Sequence, residues 1–190
     1  DRPREIATFQ IDIGNAKRFD ISYVDKNGAK RYPPIIHTAL IGTVERYIFT
    51  ILDSCAKMEQ QGKKPQLPLW LAPTQVRIIP VTRESLPHAD RLAASLNQAR
   101  VRADVDDSDE TVEKRVRDAE MFWIPYIIVV GAREKTTEQL PVRVRETGEQ
   151  RKMTVEELAS EVTERTAGYP FRSLTVPLHV STRPAYGTGQ

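Results

Sequence analysis

The residues best suited to chemistry sit in one short run, "IIHTALIGTVERYIF", residues 35–49. His37 closes an apolar stretch, Gly42 follows it, and Arg46 stands one turn into what reads as a helix. An imidazole at a strand end is either a metal ligand or a core group bonded to a backbone carbonyl. A guanidinium in a first helical turn, opposite the apolar stripe, is either a solvated charge or a fixed planar cation for a ligand. Upstream, Gln10 and Asp12 share the polar side of "TFQIDI"; Asp12 serves equally as a local hydrogen-bonding partner. A second charged stretch, "EKRVRD" at 113–118, alternates in sign as exposed helices do.

The elements that must position these residues follow from periodicity. "ATFQIDI" and "RFDISYV" alternate with period two, "DKNGAK" supplies an Asn27–Gly28 hairpin turn, and "YPPIIHTAL" gives a third strand. Val44, Tyr47, Ile48, Ile51, Leu52 and Cys55 then recur at helical spacing. Three antiparallel strands and one helix bury too little to fold independently, so the chain reads as beginning inside a larger antiparallel domain. The polar stretch "KMEQQGKKPQLP" separates this region from the rest. We divide the chain into residues 1–62, a linker at 63–68, and residues 69–190.

The second region alternates strands and helices. "VRIIPVT", "VRADVDD" and the almost wholly apolar "PYIIVVG" read as strands; "PHADRLAASLNQA", with Ala89, Leu92, Ala93 and Leu96 inward, and "ETVEKRVRDAEMF" read as helices. "LPVRVRE" and "EQRKMT" flank a turn at 147–148, and a capping box from Thr154 to Glu157 opens a last helix that Gly168 stops. The order β-α-β-α-β-β-α predicts a mixed sheet with helices on its faces. The tail "STRPAYGTGQ" is expected to fray.

Bulk properties are those of an ordinary globular chain: 39% hydrophobic, 28% charged and a formal charge of +2 over 190 residues. That charge permits a nucleic-acid partner without arguing for one. No apolar run approaches the roughly 18 residues of a membrane span. One cysteine, Cys55, excludes an internal disulfide and fits a reducing compartment.

Taken in order, "ATFQIDI", "IIHTALIGTVERYIFTILD", "LPLWLAPTQVRIIPVT" and "DVDDSDETVEKRVRDAEMFWIPYIIVVG" closely resemble the carboxy-terminal part of threonyl-tRNA synthetases, in their archaeal form. "GTVER" looks like motif 3 of class II synthetases. The resemblance implies an α/β anticodon-binding domain with a mixed five-stranded sheet, preceded by the last antiparallel strands and motif 3 helix of a catalytic domain. It implies a ligase that activates threonine with Mg2+ and ATP and transfers it to tRNA(Thr), a cytoplasmic homodimer with no membrane partner.

It also implies roles. Arg46 would stack on the ATP adenine, Gly42 would let nucleotide approach the backbone, and Gln10 would face substrate. His37 would be the last of three Zn2+ ligands, whose two partners lie upstream of this chain. Such a zinc would bind the amine and hydroxyl of threonine and reject valine, which an apolar pocket separates only about a hundredfold. Cys55, His88 and His179 are no substitutes, so the site is incomplete here. Anticodon contacts would fall to Asp109, Arg117, Trp123, Glu134 and Arg143. A carboxylate suits the paired N–H donors of guanine, and Trp123 would either stack on a base or pack beside Pro125. Lys114, Arg115 and Arg133 would offer phosphate contacts. Without motif 2, this segment alone is predicted inactive. The rival reading is a noncatalytic RNA-binding accessory protein built on a synthetase-like domain.

Overall fold

The computed structural model describes residues 7–132 and 137–184. The chain divides into two compact units, residues 1–57 and 58–190.

In the first unit, strand β1 (Thr8–Asp12) pairs antiparallel with β4 (Ile35–Ala39), placing Gln10 opposite His37 and Ile11 opposite Ile36. Side chains alternate across a strand, so Gln10, Asp12 and His37 share one face while Phe9, Ile11 and Ile36 share the other. The predicted second strand is mostly not one. Its first residue, Arg18, ends the short helix α1 (Asn15–Arg18), which begins because the Asp12 carboxylate accepts from the backbone N–H of Gly14 at 2.8 Å and of Asn15 at 2.9 Å. The turn closes through left-handed Asp20, with φ 53°. Only Tyr23–Val24 (β2) is extended; it pairs with β3 (Lys30–Arg31) through the expected turn, where Gly28 has φ 77°. The three antiparallel strands expected from the sequence are therefore two separate two-stranded ribbons.

Helix α2 (Val44–Gln60) follows. Its apolar stripe is largely uncovered by the described residues, with Val44 at 67% and Ile48 at 51% exposure, and Phe9 and Ile11 are equally open. Helical and strand periodicities here prepare apolar faces that the unit itself does not bury.

The second unit is a five-stranded sheet in the order β6-β5-β7-β8-β9. Strands β5 (Val76–Pro80), β6 (Ala103–Val105) and β7 (Tyr126–Val130) are parallel; β8 (Leu140–Val144) and β9 (Gln150–Met153) run antiparallel. Helices α3 (Leu86–Gln98) and α5 (Val155–Arg165) share the core on one face, built from Val76, Ile78, Ala89, Leu96, Ile128, Val142, Leu158 and Val162. Helix α4 (Val112–Met121) packs Ala119 and Val116 with Ile79 and Ile127 on the other. The mixed α/β sheet is the one that the β-α-β-α-β-β-α pattern predicts. Thr154 and Glu157 form the expected capping box.

A buried ion pair locks the parallel strands: Asp104 accepts from Arg77 at 3.0 and 2.8 Å, and from Thr74 and Arg183. Arg183 thereby ties down part of the tail expected to fray. Ser181 does the same by donating its N–H and hydroxyl to Asp107 at 2.9 and 2.7 Å. Among the described residues no helix is long and apolar enough to cross a membrane.

Candidate functional site

Register brings two of the first unit's candidates together. Gln10 and His37 are directly opposed on β1 and β4, where Cβ atoms lie roughly 5 Å apart, and both are exposed. Among the described residues nothing packs His37 into a core. Asp12, on the same face, is committed to capping α1; the N–H groups of Asn15 and Gly14 hold its carboxyl below the usual carboxylate range, with His37 adding a smaller contribution. Gly42 has φ 66°, so the turn between β4 and α2 itself requires glycine. Thr43 accepts from the backbone N–H of Arg46 at 3.3 Å and caps α2, leaving the Arg46 residue exposed in the first turn.

Among the described residues no three His, Cys, Asp or Glu side chains converge as a metal site. Cys55 is buried in α2, and His179 bonds Asp90 at 2.8 Å. One imidazole is far short of the three ligands zinc needs, so these residues do not fit the metal by themselves.

In the second unit the acidic run after β6 is sorted by its bonds. Asp104 is in the buried ion pair, Asp106 accepts from the N–H and hydroxyl of Ser108 at 3.2 and 2.6 Å, and Asp107 holds Ser181. Asp109 alone of these is exposed, with no hydrogen bond or ion pair among the described residues. Thr111 then caps α4 by accepting from Lys114 N–H at 3.2 Å. Arg117 is exposed midway along that helix.

Helix α4 covers only the β5–β7 part of its face. Pro141 and Arg143 on β8, with Lys152 and Gln150 opposite them on β9, continue that face with no helix over them among the described residues. Arg143 is exposed and donates to Glu120 Oε1 of α4 at 3.1 Å. Arg145, two residues on, is structural: it donates to the carbonyls of Glu120 at 2.6 Å and Pro65 at 2.9 Å.

Trp123 ends α4 in a left-handed conformation, φ 56°. Its N–H donates to the Glu120 carbonyl at 3.1 Å and that of Ile124 to Ala119 at 3.1 Å, the two bonds of a Schellman cap normally built on glycine. The side chain is half-buried beside Phe122 and Met121, which are 74% and 72% exposed.

The anticodon candidates therefore line one strip along α4 and β8, but do not surround one point. Ten helical residues span about 15 Å, so Asp109 and Trp123 sit at opposite ends. Glu134 and Arg133 lie outside the described residues. Lys114 is paired with Glu110 on the surface, and Arg115 is buried. Sequence reasoning missed the position of Arg115, although it falls on the inward stripe with Val112, Val116 and Ala119. It also passed over Phe122, signalled by "MFW", an apolar triplet at a helix end.

Residues 75–165 match the family described as "Anticodon binding domain". Over 186 residues, 98% of the chain, it is 58% identical to a threonine–tRNA ligase of Pyrobaculum calidifontis, and over 97% it is 54% identical to that of Thermofilum pendens. In each case the chain spans only 30% of the relative's length. Among solved structures, the RNA binding domain of threonyl-tRNA synthetase from Cryptosporidium parvum superposes with a TM-score of 0.67 at 26% identity, covering 90% of this chain and 40% of that one. A prolyl-tRNA synthetase of the same organism gives 0.64 at 25% identity, covering 83% and 33%.

Proposed function

For a chain related over nearly its whole length to archaeal threonine–tRNA ligases, we propose a role as the tRNA-selecting, carboxy-terminal segment of such an enzyme. The parent would form threonyl-adenylate from threonine and Mg2+-bound ATP and pass threonine to tRNA(Thr). The observation that carries the reading is the open strip on the anticodon binding domain. Its guanidinium groups, at Arg117 and Arg143, border an uncovered sheet face, with an unbonded carboxylate, Asp109, at one end. Single-stranded loops are read by such surfaces, through charge on the backbone, planar groups against the bases and polar groups on their edges. Trp123 supplies a planar ring at the other end of α4.

The first unit would contribute an edge of the active site. Arg46 would meet the nucleotide from the first turn of α2, and the Gln10–His37 face would approach the amino acid. His37 would join a zinc only with ligands from outside this chain; a bound zinc would supply a Lewis acid that senses the threonine hydroxyl. Assembly as a homodimer in the cytoplasm belongs to the same proposal.

The test is filter binding to tRNA(Thr) transcripts in which the second anticodon letter, guanine, is changed to each other base. Affinity should fall about tenfold or more with that base. Equal affinity for all four transcripts refutes anticodon reading.

A further inference from the structure

We propose that the cavity bordered by the stacked Trp70–Tyr169 pair binds the phosphoryl group of a small molecule, with Arg100 and Arg102 as its cations. The site does not depend on anticodon reading. It is built from the segment before β5, the α3–β6 turn and the end of α5, and α5 packs on the face of the sheet opposite α4. It holds about 180 Å3, below the roughly 300–1,000 Å3 of drug-sized sites, so it suits a small group.

Charge selects that group. Arg102 is 7% exposed. Its Nε donates to the Ala72 carbonyl at 2.9 Å, Nη2 to those of Trp70 at 2.8 Å and Leu69 at 3.4 Å, and Nη1 to that of Arg172 at 3.4 Å. These carbonyls take at most four of its five N–H groups, and two of the bonds are long. Among the described residues no carboxylate pairs with Arg100 or Arg102, and the cavity has no acidic residue in its lining. Burial without an opposing charge draws the Arg102 guanidinium below the usual arginine value. A buried cation in this state is destabilising, and an anion that reaches it recovers part of the loss.

The second cation is held in place. Arg100 is exposed, its backbone lies in the left-handed region at φ 62°, and its guanidinium sits 4.9 Å from the centre of the Phe171 ring. That cation–π contact positions the charge without neutralising it. Trp70 and Tyr169 stack 4.9 Å apart at 8°, and walls of this kind exclude water and strengthen an ionic contact. Carbonyls that end α5 are already occupied, Glu164's by the Ala167 N–H and Thr166's by the Tyr169 N–H, both at 3.2 Å, so they do little to repel an anion. Two guanidinium groups call for a doubly charged partner. A phosphate monoester carries about −1.5 to −2 at pH 7, whereas a carboxylate carries a single charge.

The chain's two tryptophans make it its own reporter. In the 15N-labelled chain, inorganic phosphate and phenyl phosphate should each move the Trp70 indole N–H signal saturably and leave that of Trp123 in place; Trp123→Phe assigns the two. Acetate should bind at least about tenfold more weakly. Thr163→Glu, at an exposed α5 position in the lining, sets a carboxylate against the site, and Arg100→Gln removes one cation. Each should weaken phosphate binding roughly ten- to a hundredfold, the range of hydrogen bonds to charged groups. A Trp70 signal that phosphate does not move, equal movement of both indole signals, or acetate binding as tightly as phosphate overturns the site. Unchanged phosphate affinity in both variants overturns its location. Neither variant should alter the binding of anticodon stem-loop RNA. Weaker RNA binding by both, with no response to free phosphate, assigns the cavity to an RNA backbone phosphate and overturns the small-molecule site.

Discussion

Trp123 occupies a backbone position that favours glycine, and replacing it separates stability from RNA binding. A side chain in the left-handed region costs about 1–2 kcal/mol relative to ordinary helical backbone, so Trp123→Gly relieves roughly 1 kcal/mol. Against this, glycine is more disordered when unfolded, by about 0.5–1 kcal/mol, and a half-buried ring gives up about 1 kcal/mol of burial. The net is a loss near 1 kcal/mol, about 3 °C in Tm for a chain of this size. One stacked base contributes about 1–3 kcal/mol, so RNA affinity should fall about five- to 150-fold. Urea unfolding measures the first quantity and anisotropy with the anticodon stem-loop the second. Arg100→Gly is the control: Arg100 has φ 62° in the matching cap of α3, where Val101 N–H donates to Leu96 at 2.9 Å, and it lies away from the α4–β8 strip. It should leave affinity unchanged. Trp123→Gly binding RNA within twofold of the unchanged chain, in a folded protein, refutes stacking by this residue.

Two further outcomes follow from buried polar groups in the second unit. Asp104→Asn leaves the Arg77 guanidinium buried without its carboxylate, and should cost about 3–5 kcal/mol in urea unfolding, with faster proteolysis of the segment that Arg183 anchors. Tyr126 donates to Glu161 at 2.7 Å, and burial, reinforced by that carboxylate, pushes its hydroxyl up from 10.0 to about 12. Because the folded state holds this proton more tightly than the unfolded one, its stabilising contribution is complete below pH 10 and is lost as pH rises towards 12. Unfolding at a series of alkaline pH values should show that decline, and Tyr126→Phe should flatten it.

Periodicity carried the second unit almost completely. Its parallel strands are buried on both faces and its helices on one stripe, so apolar spacing records the packing directly, as in Ala89, Ala93 and Leu96. It failed at "RFDISYV", where alternation is real but the Asp12 cap starts a helix first. Local hydrogen bonds there override a pattern with no sheet to enforce it.

Sequence alone determined which residue types are present, the order of elements in the second unit, the hairpin at Asn27–Gly28 and the capping box at Thr154. Tertiary structure decided which charges are free. In "DVDDSDE" four aspartates look alike in the chain, yet three are consumed by Arg77, Ser108 and Ser181, and only Asp109 has no partner among the described residues. In "EKRVRD" one arginine is buried and the other faces water. Partners 27 to 79 residues away make those choices for Asp104 and Asp107, and a linear pattern holds no record of such distances.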